Sequence, residues 1–156
     1  MPSWKYLAIA MLAAPHSAGA ATPPPPAVHQ AVDGFIAALN GSDPAPFAAT
    51  FAPQASITDT LGAFNWQGKD APTRYFSALQ AELKADGWTG LELAHRGNET
   101  VMGNQGHAYA AVPLFVNYTV HGQKKQDQGI FTLTLAQAGK SWKITSATWT
   151  YTSPPG

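Results

Sequence analysis

Asp59 is the residue of this chain best suited to do chemistry. It stands in the run Ile57-Thr58-Asp59-Thr60-Leu61, where strand alternation would put its carboxylate between two branched apolar side chains on one face. A carboxylate among apolar neighbours is suited to move a proton next to a carbonyl. The same residues also spell a plain turn: Asp59-Thr60-Leu61-Gly62 has Asp at the first and Gly at the fourth position of a type I turn. Both readings are open on the residues alone.

Little else in the sequence offers reactive groups. His29, His95, His107 and His121 never fall at His-x-His or His-x-x-x-His spacing, and no Glu completes a metalloprotease helix. His95 and His107 bracket a hairpin that would bring them together across two strands, but two imidazoles do not make a metal site, and none is expected. No Gly-x-Ser-x-Gly elbow occurs, and Gly103-Asn104-Gln105-Gly106 reads as a hairpin turn rather than a phosphate cradle. Lys124, Lys125 and Asp127 read as a solvated strand end. Cysteine is absent from all 156 residues, which excludes disulfides, thiolate chemistry, Cys-type zinc sites and a lipid-bearing Cys. No cofactor is implied.

Charge narrows the partners. Nine Lys plus Arg balance nine Asp plus Glu, for a formal net charge of +0. Such a chain has no electrostatic footprint for nucleic acid or an anionic membrane surface. Aromatics make up 11% of the residues, which argues for a packed domain.

The chain opens with what reads as an address. Lys5 is its sole charged side chain before Asp33 and precedes an apolar run, Tyr6 to Ala14. Pro15 ends that run and Ala18-Gly19-Ala20 supplies a small-x-small cleavage pattern, so residues 1–20 are expected to be a secretory signal peptide. The run is about half the ~20 residues needed to span a bilayer, so no membrane anchor is expected. Export to the periplasm or beyond follows. Residues 21–27, with four consecutive prolines, read as an extended spacer, and residues 28–152 as the folded domain.

Positioning elements follow from periodicity. Val28, Val32, Phe35, Ile36 and Leu39 form one helical face, closed at Asn40-Gly41. A short second helix is expected after Ser42 or Asp43, with Phe47 and Phe51 inward and Pro53 as its stop. A third begins near Asp70, carries Ala71, Tyr75, Leu79 and Leu83 at four-residue spacing, and closes at Asp86-Gly87. From there the period becomes two: Leu91 and Leu93, the run His107 to Val120, then Ile130 to Leu135 and Trp142 to Tyr151. Pro113 should bulge or bend the longest strand. The expected class is α+β, a cone of three N-terminal helices packed on a curved antiparallel sheet.

Several of these stretches together resemble a known superfamily. Phe51-Ala52-Pro53-Gln54-Ala55-Ser56-Ile57-Thr58-Asp59, then Trp66-Gln67-Gly68-Lys69-Asp70, is similar to the signature of nuclear transport factor 2-like proteins, especially the SnoaL-like and ketosteroid isomerase-like branches. The helix end Ala38-Leu39-Asn40-Gly41-Ser42-Asp43 and the aromatic last strand, with Trp149 and Tyr151, belong to the same resemblance. It implies a cystatin-like fold over about Val28 to Tyr151, and Asp59 at the position of the isomerase general base. It also exposes what is missing. The family's oxyanion donors, a first-helix Tyr and a later-strand acid, are here Phe35 and Ile130 or Phe131. A base without those donors forfeits several kcal/mol of transition-state stabilisation, so isomerisation by that mechanism is not expected. Phe35, Trp66, Tyr75, Tyr109, Phe115 and Trp149 are the aromatics that could line a pocket, with Trp66 and Trp149 placed there by the resemblance. The expected function is therefore an exported domain whose apolar cavity binds a small hydrophobic molecule. The alternative is an isomerase-, cyclase- or hydrolase-type enzyme using Asp59 as general acid or base. A homodimer through the sheet is compatible with either.

Overall fold

The computed structural model describes residues 25–61 and 63–152. The expected signal peptide, the cleavage site and most of the spacer lie outside them. Helix α1 (Pro26–Leu39) turns its five periodic apolar residues inward, all buried. The short α2 (Pro44–Ala49) is capped by Asp43, whose side chain accepts from the Ala45 amide at 2.9 Å and so satisfies an otherwise orphan N–H. Helix α3 (Ala71–Ala85) ends at Asp86, and Gly87 with φ 68° turns the chain away.

The strands are β1 (Phe51–Thr58), β2 (Asn65–Gln67), β3 (Trp88–His95), β4 (Thr100–Asn104), β5 (His107–Val120), β6 (Gln123–Ala138) and β7 (Ser141–Tyr151). They form one curved sheet in the order β2-β1-β7-β6-β5-β3, with β4 also paired to β5. The mixed α+β class is as expected, with differences in detail. Strands β1 and β2 stand between the second and third helices. The β1·β7 pair is parallel, the rest antiparallel. Phe51 opens β1 instead of closing α2, and Pro53 lies within that strand, because Thr50 already ends the helix.

Pro113 does not bulge β5. Its register with β6 runs unbroken from His107↔Ala136 to Val120↔Gln123. On the other edge β4 pairs only as far as Ala111 and β3 takes over at Leu114. Pro113 falls in the gap between them, where its carbonyl accepts from the Arg96 amide and no ladder asks for the N–H it lacks.

Alternation divides the sheet into two faces. Ala108, Ala110, Val112, Leu114, Val116 and Tyr118 of β5 join Phe131, Leu133 and Leu135 of β6 on the buried face against the helices. Phe35 anchors that core, with ring centroids 5.6 Å from Phe47, 5.9 Å from Phe51 and 5.1 Å from Phe131. Among the described residues no helix is long and apolar enough to cross a membrane.

Candidate ligand-binding hollow

Helix α3 is buried only along its first half, at Ala71, Pro72, Tyr75 and Phe76. Its second half stands off the sheet, leaving Leu79 and Leu83 half-exposed. Beneath it lies a hollow of about 260 Å³. Its helical wall is Tyr75, Leu79, Glu82, Leu83 and Asp86, and its sheet wall includes Leu93, Val116, Phe131, Trp149 and Tyr151. Thr60 and Leu61 line it on the β1 side, and Leu39, Trp88 and Leu91 line it on the β3 side. The volume is slightly below the roughly 300–1,000 Å³ of typical small-molecule sites.

The buried polar feature of this hollow is a carboxylate–phenol pair. Asp59 follows the last residue of β1 and continues that strand's alternation, so it points inward after Ala55 and Ile57 and is 8% exposed. The Tyr75 hydroxyl donates to Asp59 Oδ2 at 2.6 Å. The Thr60 amide donates to Oδ1 at 2.5 Å and the Thr60 hydroxyl to the same oxygen at 3.2 Å. Asp59 thus holds the strand-face position, with Oδ2 on Tyr75 and Oδ1 on the neighbouring Thr60, while the fourth residue of the expected turn, Gly62, lies outside the described residues. Trp66 on β2 packs edge-on against Tyr75 at 5.2 Å and fixes its ring from behind. Burial first, then the charge and hydrogen bond of Asp59, hold the Tyr75 phenol well above its ordinary pKa, so it stays a neutral donor. Tyr151 is shifted the same way by burial and then Asp59, although a hydrogen bond with Trp149 opposes the shift.

The structure sorts the sequence-derived site residues into three groups. Asp59, Tyr75 and Trp149 line the hollow together. Phe35 and Trp66 are buried one layer behind it, as packing for Phe131 and Tyr75. Tyr109 and Phe115 are on the opposite face of β5, paired in the ladder with Thr134 and Gln128, because odd-numbered residues of that strand turn away from the helices. They do not reach the hollow. Glu82, Asp86, Trp88 and Tyr151 line it and were not anticipated. The four-residue spacing on α3 pointed toward this wall, but sequence cannot show that the helix lifts from the sheet past Phe76.

Two other expectations change. Asp127 is no solvated strand end: β6 begins at Gln123, alternation turns Asp127 to the buried face, and it is 3% exposed. The Tyr118 hydroxyl donates to it at 3.0 Å, and Tyr118 stacks on Trp88 with centroids 3.7 Å apart. Burial, then the Asp127 hydrogen bond, push the Tyr118 phenol up to about 12. An inward acid therefore does exist on a later strand, four residues before Phe131, but it does not line the hollow. The histidines also differ. His95 sits opposite Leu114 while His107 starts β5, so the two do not meet across the hairpin. His95 instead faces Asp33 at 3.6 Å, and His29 hydrogen-bonds Glu99.

With this geometry in view, comparison with known proteins places the chain. The SnoaL-like domain family matches residues 28–149, and the chain belongs to that family, within the nuclear transport factor 2-like superfamily. A ketosteroid isomerase-like protein from Erwinia carotovora is similar in structure, with TM-score 0.69, 17% identity, and 83% of this chain and 96% of that one covered. A nuclear transport factor 2-like protein from Salmonella enterica gives TM-score 0.67 at 12% identity, covering 83% of this chain and 91% of the other. A protein with a cystatin-like fold from Caulobacter vibrioides gives 0.66 at 20% identity, covering 83% and 89%. At these identities the likeness is one of fold. No curated protein matches the sequence.

Proposed function

We propose that this SnoaL-like domain binds one small, mostly apolar molecule in the hollow under α3. The observation that carries the reading is the Asp59–Tyr75 contact, 2.6 Å long, in a mostly apolar hollow. Burying a carboxylate is costly, and α3 meets that cost with a donor supplied from a second element. Such an arrangement orients a guest by one polar group while its apolar body fills the remaining space. The chain acts after export, by the leader expected at residues 1–20. It pairs with a second copy through the outer sheet face, where Met102 is 53% and Tyr109 36% exposed. A Met102→Lys, Tyr109→Lys variant should lose the dimer mass in light scattering, and one that keeps it would refute pairing through this face.

Mass spectrometry of small molecules carried by the protein purified from its native compartment tests the main reading. One compound should be retained at near-equal stoichiometry, and it should be lost when Leu79→Trp fills the hollow. Retention by the filled variant would place the compound elsewhere.

The same contact supports a second reading, in which Asp59 is the general base or acid of a SnoaL-like enzyme. The mobile proton would pass between the guest and Asp59, with Tyr75 holding the carboxylate in position. Asp59→Asn separates the two readings. A binder keeps its guest and shows no chemistry in either form, whereas an enzyme converts the retained compound and loses that conversion in the variant.

A further inference from the structure

We infer that the guest of this hollow is a cation: a compact aromatic or aliphatic amine whose ammonium group faces the α3 wall. This rests on the proposal that the hollow is a binding site and adds the chemical class of what enters.

The charge of the lining is one-sided. Asp59, buried, and Glu82 and Asp86, exposed on the α3 side, line the hollow, and among the described residues no lysine, arginine or histidine does. The basic residues of flanking elements, Lys84 on α3 and Lys125 on β6, are not part of the lining. A cleft walled in apolar material and carrying one sign of charge concentrates ions of the other sign. The chain as a whole is neutral, so this acidity is local.

The hydrogen-bond inventory points the same way. The Tyr75 hydroxyl and the Thr60 amide and hydroxyl all donate to Asp59, which leaves them engaged. An anionic or enolate oxygen entering beside Asp59 would meet its carboxylate and donors already engaged by it. An ammonium group would meet acceptors.

The aromatic walls supply the third part. Trp88, Trp149, Tyr151 and Phe131 line the same space, and an aromatic ring attracts a cation presented to its face through its quadrupole. Burial is the first cause of the raised Tyr75 and Tyr151 phenols, and the charges of Asp59 and Glu82 add to both. Missing oxyanion donors, a defect for enolate chemistry, are no defect for holding a cation.

Three probes of similar size that differ in charge test this: 2-phenylethylammonium, 2-phenylethanol and phenylacetate, titrated calorimetrically into the full folded chain at low salt. The ammonium should bind at least tenfold more tightly than the alcohol, and phenylacetate should not bind. In the Glu82→Gln, Asp86→Asn double variant the ammonium should lose about tenfold while the alcohol is unchanged. Raising salt from 20 to 500 mM should weaken only the ammonium, since exposed charges are screened. Equal affinity for ammonium and alcohol, or measurable binding of phenylacetate, would overturn the cation assignment and leave the hollow standing as an apolar site. Failure of all three probes to bind would overturn the hollow as a binding site as well.

Discussion

Gly129 offers a sharp test of how the hollow is built. It sits on the buried face of β6, and a Cβ added there would lie 2.3 Å and 2.4 Å from the Cζ2 and Cη2 atoms of Trp149 and 2.7 Å from the Thr150 carbonyl oxygen. Carbon atoms rest at about 3.5–4.0 Å, so the indole would have to shift by more than about 1 Å. Phe131 at 4.8 Å and Tyr151 at 5.5 Å hold that indole on two sides, so the room left for it is the hollow. The carbonyl is main chain and gives little. Overpacking of this kind costs about 1–3 kcal/mol, and the fixed carbonyl puts Gly129→Ala toward the upper end. Gly34→Ala is the control: on α1 nothing stands within 4 Å of its Cβ, and helix propensity predicts a gain of about 0.5–1 kcal/mol. Urea unfolding measures both, and probe titration of Gly129→Ala should show at least tenfold weaker binding as Trp149 swings inward. A Gly129→Ala protein within about 0.5 kcal/mol of wild type, with unaltered probe affinity, would refute this placement of Trp149.

Other expectations concern single contacts. Tyr75→Phe takes one donor from the buried Asp59 carboxylate and should cost about 1–3 kcal/mol in urea unfolding, and Asp59→Asn in the Tyr75→Phe background should cost less than it does alone. Tyr118 has a folded pKa raised from 10.0 to about 12, so the fold holds its proton more tightly than the unfolded chain does. The stability it contributes, a few kcal/mol at most, is complete below pH 10 and is lost as pH climbs through about 12. Ultraviolet titration should show a late tyrosine phase that shrinks by one tyrosine in Tyr118→Phe, because Tyr75 and Tyr151 are raised as well. Asp43→Ala removes the α2 cap and should cost about 1 kcal/mol by thermal or urea unfolding.

Much of the architecture was legible because periodicity reports burial directly. The α1 face Val28, Val32, Phe35, Ile36, Leu39 is buried as the spacing required. Strand β5 spans His107 to Val120, the limits of its alternating run. The signature around Asp59 led to the family and to an inward carboxylate. Less legible were features set by where elements stop touching. Nothing in Leu79 or Leu83 says that α3 leaves the sheet there, so Glu82, Asp86 and Trp88 could not be assigned to a wall. Asp127 looked solvated because two lysines precede it, and only the length of β6 decides which way it points. Tyr109 and Phe115 share residue type with Trp149 but fall on the other parity of a strand, and aromatic content carries no parity.

The central claim is that the space under the second half of α3 admits a guest molecule. Titration of N-phenyl-1-naphthylamine, which fluoresces when it leaves water, tests it against a variant in which Leu79→Trp occupies that space. One probe per wild-type chain should bind, and the variant should keep its fold by circular dichroism yet bind none. Undiminished fluorescence in the folded variant would contradict the account and place apolar binding elsewhere on the molecule.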